Sequence, residues 1–165
     1  MFWSDGQVRG SGRDCNRLVE SPCYQRGAMS CSSCHDMHPS KDDGRSLAEW
    51  TNDRLRPRLD GPCACLQRHA EYAEPATLAE HTRHGPKSSG SDCLDCRKPY
   101  TTYGFKKTIR CHTITSPSVA ATLATGRPNA CNQCHLDAPL GFAADKLHEW
   151  HGYGRVDGRP MKLAE

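Results

Sequence analysis

Eleven cysteines and nine histidines stand out in a chain of 165 residues. The cysteines are Cys15, Cys23, Cys31, Cys34, Cys63, Cys65, Cys93, Cys96, Cys111, Cys131 and Cys134, an odd number that a pure disulfide scaffold would leave with one thiol over. Three pairs have C-x-x-C spacing (31/34, 93/96 and 131/134), and two of them run directly into a histidine, His35 and His135. Such residues serve zinc, dithiol redox chemistry or covalent haem attachment. On one helical turn, residues i and i+3 share a face. Two thiols so placed can each add to one haem vinyl group, while the histidine one step further on supplies an axial nitrogen to the iron. A zinc site needs no such strict adjacency. A thioredoxin-like dithiol wants a βαβ context, which the sequence lacks. Two complete C-x-x-C-H motifs in one chain therefore point to haem c.

Two further slots carry one arginine each. Cys65-Leu66-Gln67-Arg68-His69 has arginine in place of the second cysteine, and Cys93-Leu94-Asp95-Cys96-Arg97 has arginine in place of the histidine. At the second slot one thioether from Cys65 and the imidazole of His69 can still hold a haem. At the third, Arg97 cannot ligate, because a guanidinium stays protonated and has no lone pair to give. Cys93 and Cys96 are then a thiol pair, a disulfide, or thioethers without their axial nitrogen. The cofactor expectation is haem c at Cys31/Cys34/His35 and Cys131/Cys134/His135, a third at Cys65/His69, and a compromised fourth site at Cys93/Cys96.

A haem iron has a second axial position, commonly filled by histidine or methionine. Beyond the attachment histidines the chain offers His38, His81, His84, His112, His148 and His151. His38 lies three residues past His35, and His112 follows Cys111; these are the preferred single candidates. His81/His84 and His148/His151 stand at i, i+3 on expected helices, where one of each pair is expected to bind. Met29, Met37 and Met161 are lesser candidates, since methionine usually serves packing.

These ligands must be carried by short elements. Residues 1–28 read as an irregular leading segment rich in turn signals. Short helices are expected at 31–35, within 46–59 up to Pro57, over 65–73, and over 76–84 closed by Gly85-Pro86. The Lys-Ser-Ser-Gly-Ser-Asp run at 87–92 reads as a linker. Ser116 is the expected cap, Pro117 the first turn and Gly126 the end of the next helix. Asn129 is the expected cap of the helix bearing Cys131. A last helix covers about 142–151, before a loose tail from 153 to 165. The organisation is one domain with a haem-pair region at 29–85 and a second at 91–152. The fold class expected is mainly α with extensive loops, short helices packed around covalently attached haems, and little or no sheet.

Composition fits. Only 36% of residues are hydrophobic and 7% aromatic, with mean hydropathy −0.76, a thin supply for a core. A large cofactor can substitute for missing apolar side chains. The net charge of +3 is mild, without a basic block or aromatic ladder, so no nucleic-acid partner is expected. No run approaches the roughly 20 apolar residues that span a bilayer. The first ten residues have neither the basic head nor the apolar run of a signal peptide, so an exported role implies a fragment of a longer chain.

The stretches Ser21–Pro39, Cys93–Gly104 and Thr125–Asp137 together resemble the multihaem c-type cytochromes of bacteria, in particular cytochrome c-554-like proteins with doubled C-x-x-C-H motifs. The resemblance covers nearly the whole chain; Arg68 and Arg97 depart from it. It implies a periplasmic or exported electron carrier, haem attached by export-side machinery, mostly bis-histidine iron, and a C-terminal piece of a longer protein. It also implies redox partner proteins, either other cytochromes or a reductase. Two alternatives stand beside this reading: a haem enzyme reducing small nitrogen oxides such as nitrite or hydroxylamine, and a zinc-binding Cys/His structural module.

Overall fold

A computed structural model of the chain describes residues 2–7, 9, 14–51, 54–103 and 107–154. Met161 and most of the tail (155–165) lie outside the described residues. Short helices joined by long loops make up the fold, with one small hairpin. In chain order they are α1 (Asp14–Val19), α2 (Pro22–Gln25), a 3-10 turn at Cys31–Ser33, α3 (Leu47–Thr51), α4 (Cys63–Leu66) and a 3-10 turn at Ala70–Tyr72. After these come α5 (Pro75–Thr82), a 3-10 turn at Ser89–Ser91, α6 (Cys93–Arg97), strands β1 (Tyr100–Tyr103) and β2 (Lys107–Arg110), α7 (Val119–Thr125), α8 (Ala130–Cys134) and α9 (Leu140–His151). The strands pair antiparallel, Tyr100 opposite Arg110 and Tyr103 opposite Lys107.

Several expected elements change in detail. The leading segment is not wholly irregular: α1 and α2 bury Arg17, Leu18 and Ser21. The helix expected within 46–59 is confined to α3, where Ser46 and Glu49 cap each other and Trp50 is buried. The helix expected over 65–73 breaks into α4 and a 3-10 turn. The run at 87–92 is a folded turn rather than a free linker, with Ser91 buried and Ser88 accepting from Gly90 N. Ser118, not Ser116, caps α7, accepting from Ala121 N at 3.2 Å; Gly126 ends that helix at φ 75°, a left-handed conformation that costs glycine nothing. Asn129 caps α8 as expected, accepting from Cys131 N at 3.0 Å.

The apolar core is small. Val119, Ala143 and Leu147 form its buried centre, with Leu123, Leu140, Ala144 and Cys131 against them. It joins α7, α8 and α9 and so fixes the platform on which the last slot sits. Among the described residues no helix is long and apolar enough to cross a membrane.

Candidate functional site

Each cysteine slot folds into a single tight turn. The carbonyl of the first cysteine accepts from the residue four places on: Cys31 from His35 at 2.9 Å, Cys65 from His69 at 3.1 Å, and Cys131 from His135 at 2.9 Å. The turn survives at the second slot because backbone bonds form it, and arginine at 68 supports a helical turn as well as cysteine does. Polar caps start the other slots. Ser30 and Ser33 cap each other, Asp92 accepts from Leu94 N at 2.8 Å, and Asn129 caps α8.

The tertiary fold brings a second histidine to each complete slot. The ring of His35 faces that of His112 with centroids 6.1 Å apart, and the ring of His135 faces that of His84 at 6.0 Å. A metal–imidazole bond is about 2.0–2.1 Å, so two imidazoles bound on opposite sides of one ion have centroids about 6.2–6.4 Å apart, against about 5 Å at a tetrahedral angle. Both observed separations fall slightly short of the opposed arrangement and lie nearer to it than to the tetrahedral one.

His112 is placed by the hairpin. The chain leaves α6, runs out along β1 and returns along β2, and Cys111 N donates to Pro99 O at 2.9 Å as the return strand ends. Slot one is pinned from its other side, where Asp36 N donates to Arg54 O and Arg56 N to Cys34 O, both at 2.9 Å. His84 is placed by the end of α5, where Arg83 adopts the left-handed conformation (φ 57°) and reverses the chain. That conformation is unfavourable for a residue with a Cβ and is typical of functional positions.

Each second histidine has an oxygen beside its Nδ1. His84 Nδ1 lies 2.6 Å from Thr82 O and donates to it. His112 Nδ1 lies 3.3 Å from Asp14 Oδ1, an electrostatic contact rather than a well-aligned hydrogen bond. That contact, opposed by partial burial, holds the Asp14 carboxyl below its ordinary value. With Nδ1 donating to Thr82 O, His84 keeps its lone pair on Nε2, the arrangement found behind metal-bound histidines. Gly90 leaves the room His84 needs: a Cβ there would lie 2.2 Å from Cδ2 and 2.7 Å from Nε2 of the imidazole. Phe142, 5.3 Å from His135, and Trp150, edge-on at 6.4 Å from His84, form an aromatic wall around this pair.

The remaining candidates are placed differently. His81 lies 5.6 Å from His151, ring centre to ring centre, with the Tyr72 ring tilted against His81 at 4.5 Å. Burial, and then the charge of Arg97, lower the pKa of both histidines. Thus His84 and His81 divide their helical pair between two locations. His148 hydrogen-bonds Tyr153 O through Nδ1 at 2.7 Å and so closes the end of α9. His38 is exposed, as is Met37. His69 is more than half exposed, 3.3 Å from Glu71, with Tyr72 as its ring neighbour at 6.3 Å. Arg97 turns away from ligation and donates to Ser116 Oγ.

Cysteines of neighbouring slots influence one another in pairs. Cys96 of the third slot lies within reach of the charges of Cys131 and Cys134 of the fourth, and burial pushes its thiol up to about 11. The neighbouring Cys93 of the third slot, and then burial, push the Cys65 thiol of the second slot up, while Cys65 holds the Cys93 thiol down to about 7. Lys98 sits among Cys34, Cys65 and Cys111, and burial lowers the pKa of its ammonium. Sequence reasoning passed over Lys98; its only signal was its position beside Arg97. A cleft of about 230 Å³ opens beside Cys96 and Cys111, lined also by Trp3, Tyr100 and Gln133. It borders neither histidine pair, so the pairs, which supply donor atoms, carry the chemical argument.

No family model, no curated protein and no solved structure matches the chain.

Proposed function

We propose that this chain is an electron-transfer protein carrying haem c at its two complete slots, each iron held between two histidines. Cys31, Cys34, His35 and His112 would hold one group, and Cys131, Cys134, His135 and His84 the other. The single observation that carries the reading is that each of the two C-x-x-C-H histidines has a second histidine ring beside it, at a centroid separation close to that of imidazoles opposed across one metal. The Thr82 carbonyl that holds His84 Nδ1 and the Asp14 carboxylate beside His112 Nδ1 add support.

When bound, haem iron takes up and releases one electron. The protein's own residues then tune and protect that exchange. Asp14 and the Thr82 carbonyl orient His112 and His84 and increase their electron donation, which favours the oxidised ion. Phe142 and Trp150 limit water at the second pair. Two histidines on one iron leave no open coordination position, which favours an electron carrier over reduction of a small nitrogen oxide. Zinc is disfavoured by arrangement: among the described residues no three His, Cys, Asp or Glu side chains converge into a metal-binding group, whereas structural zinc takes four ligands. Export and redox partner proteins belong to the same proposal, since haem c attachment and electron delivery require both.

The test is expression of the full chain with haem-maturation machinery in an exporting host. Intact mass is expected to show two covalent haems, with the sharp reduced bands of low-spin haem c. A colourless product with the mass of the bare polypeptide and stoichiometric zinc would overturn the reading.

A further inference from the structure

Two histidines outside both haem sites stand together. His81, near the C-terminal end of α5, and His151, the last residue of α9, have ring centres 5.6 Å apart. We propose that this pair binds one divalent first-row transition-metal ion of the zinc and copper class through its two imidazoles, with water completing the shell. The site shares no residue with the two complete slots and goes beyond their haem reading.

Geometry is the first support. An imidazole nitrogen lies about 1.1 Å from its ring centre and binds zinc at about 2.0–2.1 Å, so each ring centre stands about 3.1–3.2 Å from the ion. A separation of 5.6 Å then corresponds to an angle of about 125° at the metal, nearer the tetrahedral value than the opposed one. Free donor atoms are the second support. His69, His84, His112 and His148 each have an oxygen beside Nδ1. Among the described residues, no ring nitrogen of His81 or His151 has a hydrogen-bond or ion-pair partner. Placement is the third. Tyr72 is tilted against His81 at 4.5 Å and Tyr153 against His151 at 5.8 Å, which holds the two rings. His81 is half-buried and His151 exposed, so an ion and its waters can reach the pair.

Both histidines stand in the last turn of their helices, where the macrodipole favours a cation. Arg97, and at His151 also Arg83, bring opposing positive charge, while the Arg97 guanidinium donates to Ser116 Oγ. Burial, and then Arg97, keep both imidazoles neutral near pH 7, so a metal has no proton to displace. Imidazole donors select zinc, copper and nickel over magnesium and calcium. Among the described residues no third His, Cys, Asp or Glu converges with the pair. The site is therefore open and exchangeable, unlike a four-ligand structural zinc.

The experiment is a zinc titration of the full chain, made with haem-maturation machinery. Each histidine's reaction with diethylpyrocarbonate is read residue by residue in a mass-spectrometric digest. Zinc is expected to protect His81 and His151 with one shared midpoint. In His81→Gln the midpoint for His151 should rise about tenfold or more, and the reverse should hold in His151→Gln. His38→Gln should change neither. The inference is overturned if the two midpoints differ, if either histidine keeps its wild-type midpoint without the other, or if neither is protected up to about 1 mM zinc. It is also overturned if a third haem appears by mass and either histidine is unreactive before zinc is added. Should both Gln variants lose their circular dichroism, the wild-type midpoints alone decide. The same digest reports haem on the Cys31/Cys34 and Cys131/Cys134 peptides. Bare peptides there with shared protection would defeat the haem reading and leave this site standing.

Discussion

Replacing Gly90 with alanine is the sharpest probe of the second histidine pair. Gly90 is absent from the positions with left-handed φ, so alanine meets no backbone penalty there and the change acts through space alone. Its new Cβ would lie 2.2, 2.5 and 2.7 Å from Cδ2, Cγ and Nε2 of His84. Carbon atoms pack at about 3.5–4.0 Å, so the ring has to retreat by roughly 1.3 Å or more at its nearest atom. Metal–ligand distances tolerate about 0.2 Å. A displacement several times larger removes His84 as a ligand while Cys131, Cys134 and His135 keep the haem attached. The Gly90→Ala holoprotein is therefore expected to retain two covalent haems by mass, with half of its iron converted from low-spin to a form that binds carbon monoxide when reduced. Gly44→Ala is the control, because nothing lies within 4 Å of its added methyl. If Gly90→Ala binds no carbon monoxide and keeps a fully low-spin spectrum, His84 is not the ligand and the argument from the 6.0 Å pairing fails.

Other outcomes follow from the same geometry. Asp14→Asn is expected to raise the reduction potential of the haem proposed at His35/His112, read by spectroelectrochemistry, because His112 loses the neighbouring carboxylate. Asp14 also has a lowered folded-state pKa, so its contribution to stability is present above the ordinary value near 3.8 and lost as pH falls through the folded value; acid unfolding curves of the Asn variant should lack that component. His81 and His151 have folded-state pKa values below 6.5, so the unfolded chain gains protons first as the pH drops. Stability should decline as pH falls through that value, and Arg97→Gln should flatten the decline in thermal melts between pH 7 and 5. Leu147→Ala, which opens the small core beside Val119 and Ala143, should cost about 2–5 kcal/mol in denaturant titrations, and an unchanged midpoint would show that the prosthetic groups carry the stability instead.

How much of this was legible beforehand differs from residue to residue. The slots, their turns and the Asn129 cap could be read directly, because motif spacing and helix capping are set by residues within five places of one another. The small-residue run at 87–92 looked like a free linker because composition reports only what a segment lacks; its packing against α5 and α6 depends on Gly90 leaving room for an imidazole. Ser118 rather than Ser116 capping α7 was a matter of two neighbouring serines with equal local claims.

By itself the sequence determined the chemistry on offer: two complete Cys/His slots, two incomplete ones, too few apolar residues for a conventional core, and hence a helical and loop-rich chain. Only the tertiary structure decided which histidine meets which. His38, nearest in sequence to slot one, stands exposed, while His112 reaches His35 across a hairpin that returns the chain, and His84 reaches His135 through a left-handed turn at Arg83. Histidine pairing is a long-range property, fixed by backbone reversals and packing rather than by spacing, so no local pattern could have announced it.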